Sequence, residues 1–242
     1  MFSRFTRHDA TGAAKLLMLA VTLAVCAGSR AQEISAPEKL LFQSNHFDNV
    51  RQPVKLSYTF RQEAATAPDA FSDDVMVDVL KRNDDGTASV AAQFLTGVHA
   101  IPIPPIEHAQ GNPAILGFLE RDILEMKRLT GGATSYFRKR IRLALASPTL
   151  PIRKVDVVYN GAKVPAQQIT IQPYSDDPLK DRFGKFADKG YVFVISDKVP
   201  GSLYRVYTTV KGDQAAPAVD ASMTIARGDP AETRKTGFVP PR

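Results

Sequence analysis

Histidine, carboxylate and arginine side chains are the residues of this sequence that could do chemistry. His99 and His108 lie at the two ends of the proline-rich stretch HAIPIPPIEH, and Glu107 precedes the second histidine. Two imidazoles and a carboxylate form a donor set that zinc accepts. The sequence therefore offers a candidate metal site at His99 and His108, and with it an alternative function as a metal-binding protein or metal-dependent hydrolase. Surface or connector histidines are the competing interpretation.

Aspartates recur in pairs, and their oxygens could bind calcium. The pairs are Asp73–Asp74, Asp84–Asp85 and Asp176–Asp177, the last followed by Asp181. No pair stands in the register of a calcium-binding helix-loop-helix. Aspartate is also the usual residue of turns and caps, because its carboxylate accepts hydrogen bonds from nearby backbone amides. Turns and caps are therefore expected here, and no cofactor is predicted.

Sequence signatures of enzymes are mostly missing. The chain has no nucleophile elbow, no phosphate-binding loop, no dinucleotide-binding glycine pattern and no zinc-protease helix. Its one cysteine, Cys26, lies in the apolar N-terminal segment and offers no catalytic nucleophile. We expect no catalytic residues, and a non-enzymatic role is favoured.

A basic run, FRKRIR, covers residues 137–142. On a helix of 100° per residue, Arg138, Lys139 and Arg142 fall opposite the apolar stripe that contains Phe137 and Ile141. Two interpretations remain open. The bases could pair with acids of the preceding helix, namely Glu120, Asp122 and Glu125, or they could contact anionic lipid headgroups at a membrane surface.

The first 31 residues predict a secretory signal peptide. Arg4, Arg7 and Lys15 precede an apolar run at residues 16–28, and small residues then lead up to Ala31. An apolar run this short cannot span a bilayer, which needs about 20 residues. No twin arginine is present, so the general secretory route to the periplasm is expected. LAVC at residues 23–26 approaches a lipoprotein box, but Val25 stands where a small residue is required, which makes lipidation of Cys26 the less favoured alternative.

Charge argues against nucleic acid as a partner. Half of the formal net charge of +6 comes from residues 1–31, so the domain itself is only weakly basic. The sequence after the predicted signal peptide contains no cysteine, and the sequence contains no N-glycosylation sequon. Together these features favour a bacterial periplasm as the location of the protein.

The polar residues are embedded in alternating apolar patterns. VKLSYTFR, DDVMVDVLKR and TASVAAQFLTG read as strands before the centre of the chain, and further strands follow residue 150. Asn83–Gly86, Asn160–Gly161 and Val199–Gly201 are predicted tight turns. The segment His99–His108 reads as an extended connection, because its prolines exclude a central strand.

Two central helices are predicted between these groups of strands. The first begins at Pro113 after the N-cap Asn112 and ends at Gly131, with a buried stripe and a solvated face. The stripe is Ile115, Leu116, Leu119, Ile123 and Met126, and the solvated face is Glu120, Arg121, Asp122, Glu125 and Arg128. The second begins near Thr134 and ends before Pro148. A further short helix is expected from the capping box of Ser35 and Glu38.

These elements predict one α+β domain over residues 32–227, with a disordered tail at residues 228–242. We expect an antiparallel β-sheet, flat or curved, of about 7–8 strands with the central helical hairpin on one face. A β-sandwich or barrel is the alternative.

Residues 111–146 and 171–208 resemble segments of a family of uncharacterised exported bacterial (periplasmic) proteins. The order of strands and helices is also similar in outline to that of periplasmic lipoprotein carriers, a likeness of fold alone. It implies a curved sheet that holds acyl chains against helices.

Together these observations predict an exported periplasmic binding or accessory protein of the cell envelope. Its ligand would be a lipid or another apolar small molecule held between the sheet and the helical hairpin. An adaptor that docks another envelope protein is a further alternative. The candidate ligand-contacting rings are Tyr58, Phe60, Phe94, Tyr204 and Tyr207.

Overall fold

The fold is taken from a computed structural model that describes residues 33–63, 70–211 and 217–227. The chain divides into two units, residues 1–33 and 34–242, and the second contains the sheet and the helices of the domain. The predicted signal peptide and the predicted disordered tail lie outside the described residues. Among the described residues, no helix has both the length and the apolar content needed to cross a membrane.

Three helical segments carry the helical part of the domain. Helix α1, Ala36–Glu38, continues directly into a π-helical turn at Lys39–Gln43, and Ser35 and Glu38 form the predicted capping box at its start. Helices α2 and α3 span Pro113–Thr130 and Thr134–Leu145, in agreement with the predicted bounds. Short 3-10 segments occur at Gly97–His99 and Lys180–Phe186.

Nine strands form one antiparallel sheet in the order β4-β3-β2-β1-β9-β8-β7-β6-β5. The prediction of about 7–8 strands was therefore too low, and a single sheet with β4 and β5 at its edges is neither a sandwich nor a closed barrel. The strands are β1 Val54–Gln62, β2 Phe71–Arg82, β3 Ala88–Phe94, β4 Ile106–Ala109, β5 Ile152–Tyr159, β6 Ala162–Ile171, β7 Gly190–Ile195, β8 Leu203–Lys211 and β9 Pro217–Ile225.

The proline-rich connection contains the strand that the sequence did not predict. Residues Ile106–Ala109 follow the last of its prolines and pair with β3 at the edge of the sheet. An edge strand needs partners on one side only, so nearby prolines do not exclude it. The prediction that this segment is not a central strand is confirmed.

Two hydrogen bonds require the sheet to bend. The backbone N–H of Asn160, in the β5–β6 turn, donates to the carbonyl of Arg227 just after β9 at 3.1 Å. The Tyr204 hydroxyl of β8 donates to the carbonyl of Val158 in β5, also at 3.1 Å. In a flat sheet these strands would be three to four spacings apart, about 15–19 Å. The sheet is therefore strongly curved or twisted on the β5 side.

The predicted turns form with the backbone that their residues favour. Asn160 and Gly161 both have positive φ, 53° and 76°, as a two-residue hairpin turn requires. Gly201, at the β7–β8 turn, has a φ of 72°, and a Cβ there would also lie 2.4 Å from Leu56. These two glycines fix short connections and hence the strand register.

Helix α2 packs on the sheet through close contact with aromatic rings. Phe60 of β1 lies between Phe94 of β3 and Phe118 of α2, with ring centroids 6.4 and 6.0 Å away. Gly117 allows α2 to approach, because a Cβ at that position would lie 2.3 Å from the Phe94 ring. The prediction of a helix packed against the sheet is confirmed at α2.

Candidate functional site

A cluster of charged side chains is buried where α2 meets the sheet. The Lys189 ammonium lies 2.6 Å from Oδ1 of Asp122 and 2.7 Å from Oδ2 of Asp220, and none of the three side chains is more than 3% exposed. The Tyr191 hydroxyl donates to Oδ2 of Asp122 at 2.6 Å. It accepts in turn from Tyr174, whose hydroxyl oxygen lies 3.0 Å away.

Three separate elements bring this cluster together. Asp122 comes from the middle of α2, and Lys189 stands immediately before β7. A β-bulge in β9 places Asp220. Val219 and Ser222 of β9 pair with Thr209 and Tyr207 of β8, so two β9 residues lie between these pairs where β8 has one. In such a bulge two successive side chains point to the same side. Asp220 therefore joins Ala221 on the face that packs against α2.

Opposite charges and hydrogen bonds inside the cluster stabilise the contact between α2 and the sheet. Burial alone would lower the pKa of Lys189, but attraction to Asp122 and Asp220 outweighs it, and the pKa of the ammonium is raised. Burial and the neighbouring Asp122 raise the pKa of Tyr191 well above its ordinary value, so the phenol remains a donor. No side chain of the cluster is open enough to meet a dissolved substrate.

A second buried group fixes the start of α2. Nε2 of His46 lies 2.7 Å from the carbonyl of Leu40, and Nδ1 lies 3.0 Å from the backbone nitrogen of Asn112. Only the neutral imidazole with its proton on Nε2 satisfies both contacts. Burial lowers the pKa of His46 and so favours this neutral form, although the bond to Leu40 acts in the opposite direction. His46 thus joins the π-helical turn that follows α1 to the N-cap of α2.

The candidate ligand-contacting rings lie inside the protein. Tyr58, Phe60 and Phe94 belong to the core, and the Tyr58 hydroxyl accepts a bond from Asn112 at 2.8 Å. Tyr204 and Tyr207 are buried on β8, and the Arg205 guanidinium lies 4.6 Å from the centre of the Tyr207 ring. A dissolved ligand could reach these rings only by displacing core side chains.

The two candidate metal ligands have different neighbours. His99 stacks on Phe71, with ring centroids 4.0 Å apart. Nδ1 of His108 lies 3.0 Å from Oδ2 of Asp85, and the other oxygen of that carboxylate accepts two bonds from Thr87. Within the described ranges, no group of three or more histidine, cysteine or acidic side chains is placed to hold a metal ion.

One aspartate of each pair considered for calcium caps a turn or makes an ion pair. Asp85 accepts from the backbone of Thr87 in the β2–β3 turn, and Asp73 accepts from the backbone of Thr96. Asp177 accepts from the backbone of Leu179 and pairs with Arg140 of α3 at 2.8 Å.

Of the acids expected to face the basic run, Glu120 does so. It holds Arg138 through two bonds of 2.9 and 2.7 Å, and these bonds raise the pKa of Arg138. Glu125 pairs instead with Arg128 on its own helix. The assignment of Asp122 to the solvated face was wrong, because this carboxylate lies in the core with Lys189.

A groove open to solvent runs between the three helical segments; we call it the helical groove. Its volume is about 180 Å³. Leu116, predicted to be buried, is 51% exposed on its wall. The apolar lining residues are Phe42, Leu116, Leu119, Ile123, Ile141 and Leu145, and the charged ones are Glu38, Glu120, Arg138 and Arg142.

A larger cavity of about 600 Å³ lies over the β5 side of the sheet; we call it the strand cleft. Its floor comes from β5, β6 and β7, and its walls come from residues 40–46 and the β7–β8 turn. The lining residues are Leu40, Ser44, Asn45, His46, Lys154, Val155, Asp156, Pro165, Ala166, Gln167, Ile195, Ser196, Asp197 and Ser202. The five candidate rings line neither the strand cleft nor the helical groove.

Comparison with known proteins adds little to this geometry. No protein-family model matches the chain, and no curated protein matches it significantly. Among solved structures, the lipoprotein LppX of Mycobacterium tuberculosis is similar at 12% identity over 77% of this chain and 92% of that one, with a TM-score of 0.29. A score this low supports no conclusion about ligand or mechanism.

Sequence reasoning missed the buried cluster, although one signal for it was present. Asp122 stands three residues after Leu119 and four before Met126, inside the apolar stripe of α2. A carboxylate at such a position needs a buried partner. Nothing local indicates that Lys189 and Asp220 supply that partnership.

Proposed function

We propose that this protein is an exported binding protein of the bacterial cell envelope, and that it holds the acyl chain of an anionic lipid in the helical groove. The observation that carries the proposal is the groove itself: apolar side chains from three helical segments line a channel open to water, with arginines at its rim. An apolar, solvent-exposed recess rimmed by charged residues is typical of an interaction site.

The proposed site lies away from the location that the sequence predicted. The contact between α2 and the sheet is filled by Phe60, Phe94 and Phe118, which pack ring against ring. An acyl chain there would have to displace core side chains. The helical groove lies on the other side of α2, where Leu116 keeps half of its surface exposed.

The rim favours an anionic headgroup. Arg138 is held in place by Glu120, and Arg142 is exposed with no ion pair in the described part of the chain. Glu38 lies at the far side of the rim, where its carboxylate accepts from the backbone of Ser35. Arg142 is therefore the cation available to a phosphate or carboxylate, while Lys139 on the same helix adds attraction to an anionic membrane surface.

A displacement assay tests this function. A dansyl-labelled long-chain fatty acid should bind the purified domain, and Leu116→Glu should weaken binding about tenfold, since a leucine contact is worth about 1.5 kcal/mol or more. Leu143→Glu is the matched control, because Leu143 is an equally exposed leucine on α3 outside the groove. Arg142→Glu should lower the affinity for the fatty acid but leave the affinity for the corresponding uncharged alcohol unchanged. Equal affinity of all variants would overturn the proposal.

A further inference from the structure

The floor of the strand cleft carries polar side chains in one row across adjacent strands. Lys154 of β5 is the register partner of Gln167 of β6, and Gln167 is the partner of Ile195 of β7. Side chains of antiparallel partners lie on the same face about 4.5–5.5 Å apart. An ammonium, a carboxamide and an apolar side chain therefore stand side by side in the cleft.

Most of the other polar groups of the cleft are already engaged. Ser196 donates to the carbonyl of Pro165 at 2.7 Å, and Ser202 donates to the carbonyl of His46 at 3.1 Å. Asn45 donates to the carbonyl of Gly86 and accepts from the backbone of Phe47. These bonds shape the walls and leave little capacity for a ligand.

Each of the two aspartates that line the cleft pairs with a lysine that does not line it. Asp156 pairs with Lys163 at 3.0 Å, and Asp197 lies 3.1 Å from Lys198. Lys154, in contrast, has no ion pair or hydrogen bond within the described ranges, and neither has the Gln167 side chain. With Asp156 and Asp197 each paired to a lysine, Lys154 is the charged side chain of the lining that is left to attract an anion.

The walls of the strand cleft are preorganised by hydrogen bonds to the rest of the domain. His46 ties residues 40–46 to the N-cap of α2, and Asn49 donates to the carbonyl of Val199 at 2.6 Å, which fixes the β7–β8 turn. A site whose walls are fixed in advance loses little conformational entropy on binding. Its volume of about 600 Å³ is within the range of small-molecule sites.

We propose that the strand cleft is a binding site for a small organic anion. Lys154 and the amide of Gln167 bind the anionic group, and an apolar body packs against Leu40 and Ile195. This site is separate from the helical groove, since the two share no lining residue. The inference does not rest on the proposed lipid-binding function.

The probes are phenylacetate, benzoate and hexanoate, with neutral phenylacetamide as the uncharged counterpart of the first. Binding to the purified domain at up to millimolar concentration is followed by backbone amide NMR shifts. At least one anion should shift the amides of residues 154–156 and 165–167, and phenylacetamide should bind at least about tenfold more weakly than phenylacetate. Lys154→Met should remove this preference for the anion. Lys180→Met, an exposed lysine outside the cleft, should leave it unchanged.

Three outcomes would overturn the proposal. These are the lack of cleft shifts with every anion, equal affinity for acid and amide, and full retention of the preference in Lys154→Met. Because Lys154 is exposed, the variant should fold, and its amide spectrum checks this directly. Leu116→Glu separates the two sites: cleft binding should survive it, whereas fatty-acid binding in the helical groove should not.

Discussion

The ammonium of Lys189 lies 2.6 Å from a carboxylate oxygen of Asp122, although both side chains are almost completely buried. Lys189 also reaches Asp220 on β9, so one side chain connects α2, the start of β7 and β9. Two buried carboxylates share this one ammonium, and hydrogen bonds from Tyr191, Thr208 and Gln62 supplement it. The stability of the domain should therefore depend on this contact more than on any surface ion pair.

Lys189→Met should destabilise the domain by about 3–5 kcal/mol, because it leaves two buried carboxylates without their cation. Urea unfolding followed by circular dichroism measures the change. Lys198→Met is the control, since Lys198 makes an exposed ion pair and its loss should cost less than about 1 kcal/mol. Adding Asp122→Asn to Lys189→Met should recover part of the lost stability. A Lys189→Met variant as stable as Lys198→Met would contradict the role of the cluster.

Acid should destabilise the domain in part through His46. The folded state lowers the pKa of His46, so below about pH 6.5 the unfolded chain binds the proton more readily than the folded one. This contribution to stability is complete above that pH and is lost as the pH falls. We expect the unfolding free energy of His46→Gln to depend less on pH between 7.5 and 5.5 than that of the wild type. Parallel pH profiles for the two proteins would exclude this role.

Gly117→Ala should destabilise the protein, although alanine is favoured over glycine in a helix by about 1 kcal/mol. The new methyl group would lie 2.3 Å from the Phe94 ring, and overpacking of this kind costs about 1–3 kcal/mol. A double-mutant cycle with Phe94→Leu, measured by urea unfolding, should show that the two changes are coupled. If Gly117→Ala stabilised the protein, or if the two changes in unfolding free energy were additive, α2 could move away from Phe94 without loss of stability.

Export should remove residues 1–31. Intact-mass analysis of protein recovered from the periplasm of a bacterial host should give a chain that begins at Gln32, because small residues precede that bond. Replacing Ala31 with a large residue should slow this cleavage. A mass that fits a lipid-modified chain beginning at Cys26 would contradict this prediction and favour processing as a lipoprotein.

Local signals predicted the local structure. Asn112 caps α2 as expected, Gly131 ends it with a φ of 72°, and Asn160–Gly161 forms the hairpin turn. Each of these features depends on backbone preferences of a few neighbouring residues, which the sequence displays directly. The bounds of the helices could be predicted for the same reason.

Contacts between distant residues could not be predicted in this way. The helical groove depends on how α1, α2 and α3 pack, and the buried cluster joins residues 122, 189 and 220. The helical periodicity of α2 places Asp122 in its apolar stripe, but the charge of the residue suggested the solvated face. The partner that makes burial of this carboxylate favourable lies 67 residues further along the chain.

The bulge in β9 makes the length of that strand as important as its composition. With one residue more than β8 over the same stretch, β9 presents both Asp220 and Ala221 to α2. A deletion of one residue would restore a regular ladder and leave one inward position where there are now two, so either Ala221 or the carboxylate that binds Lys189 and Gln62 would lose its place on that face. We therefore expect β9 to tolerate single substitutions away from Asp220 better than any insertion or deletion, so that the number of residues in the strand is constrained as tightly as the carboxylate it carries.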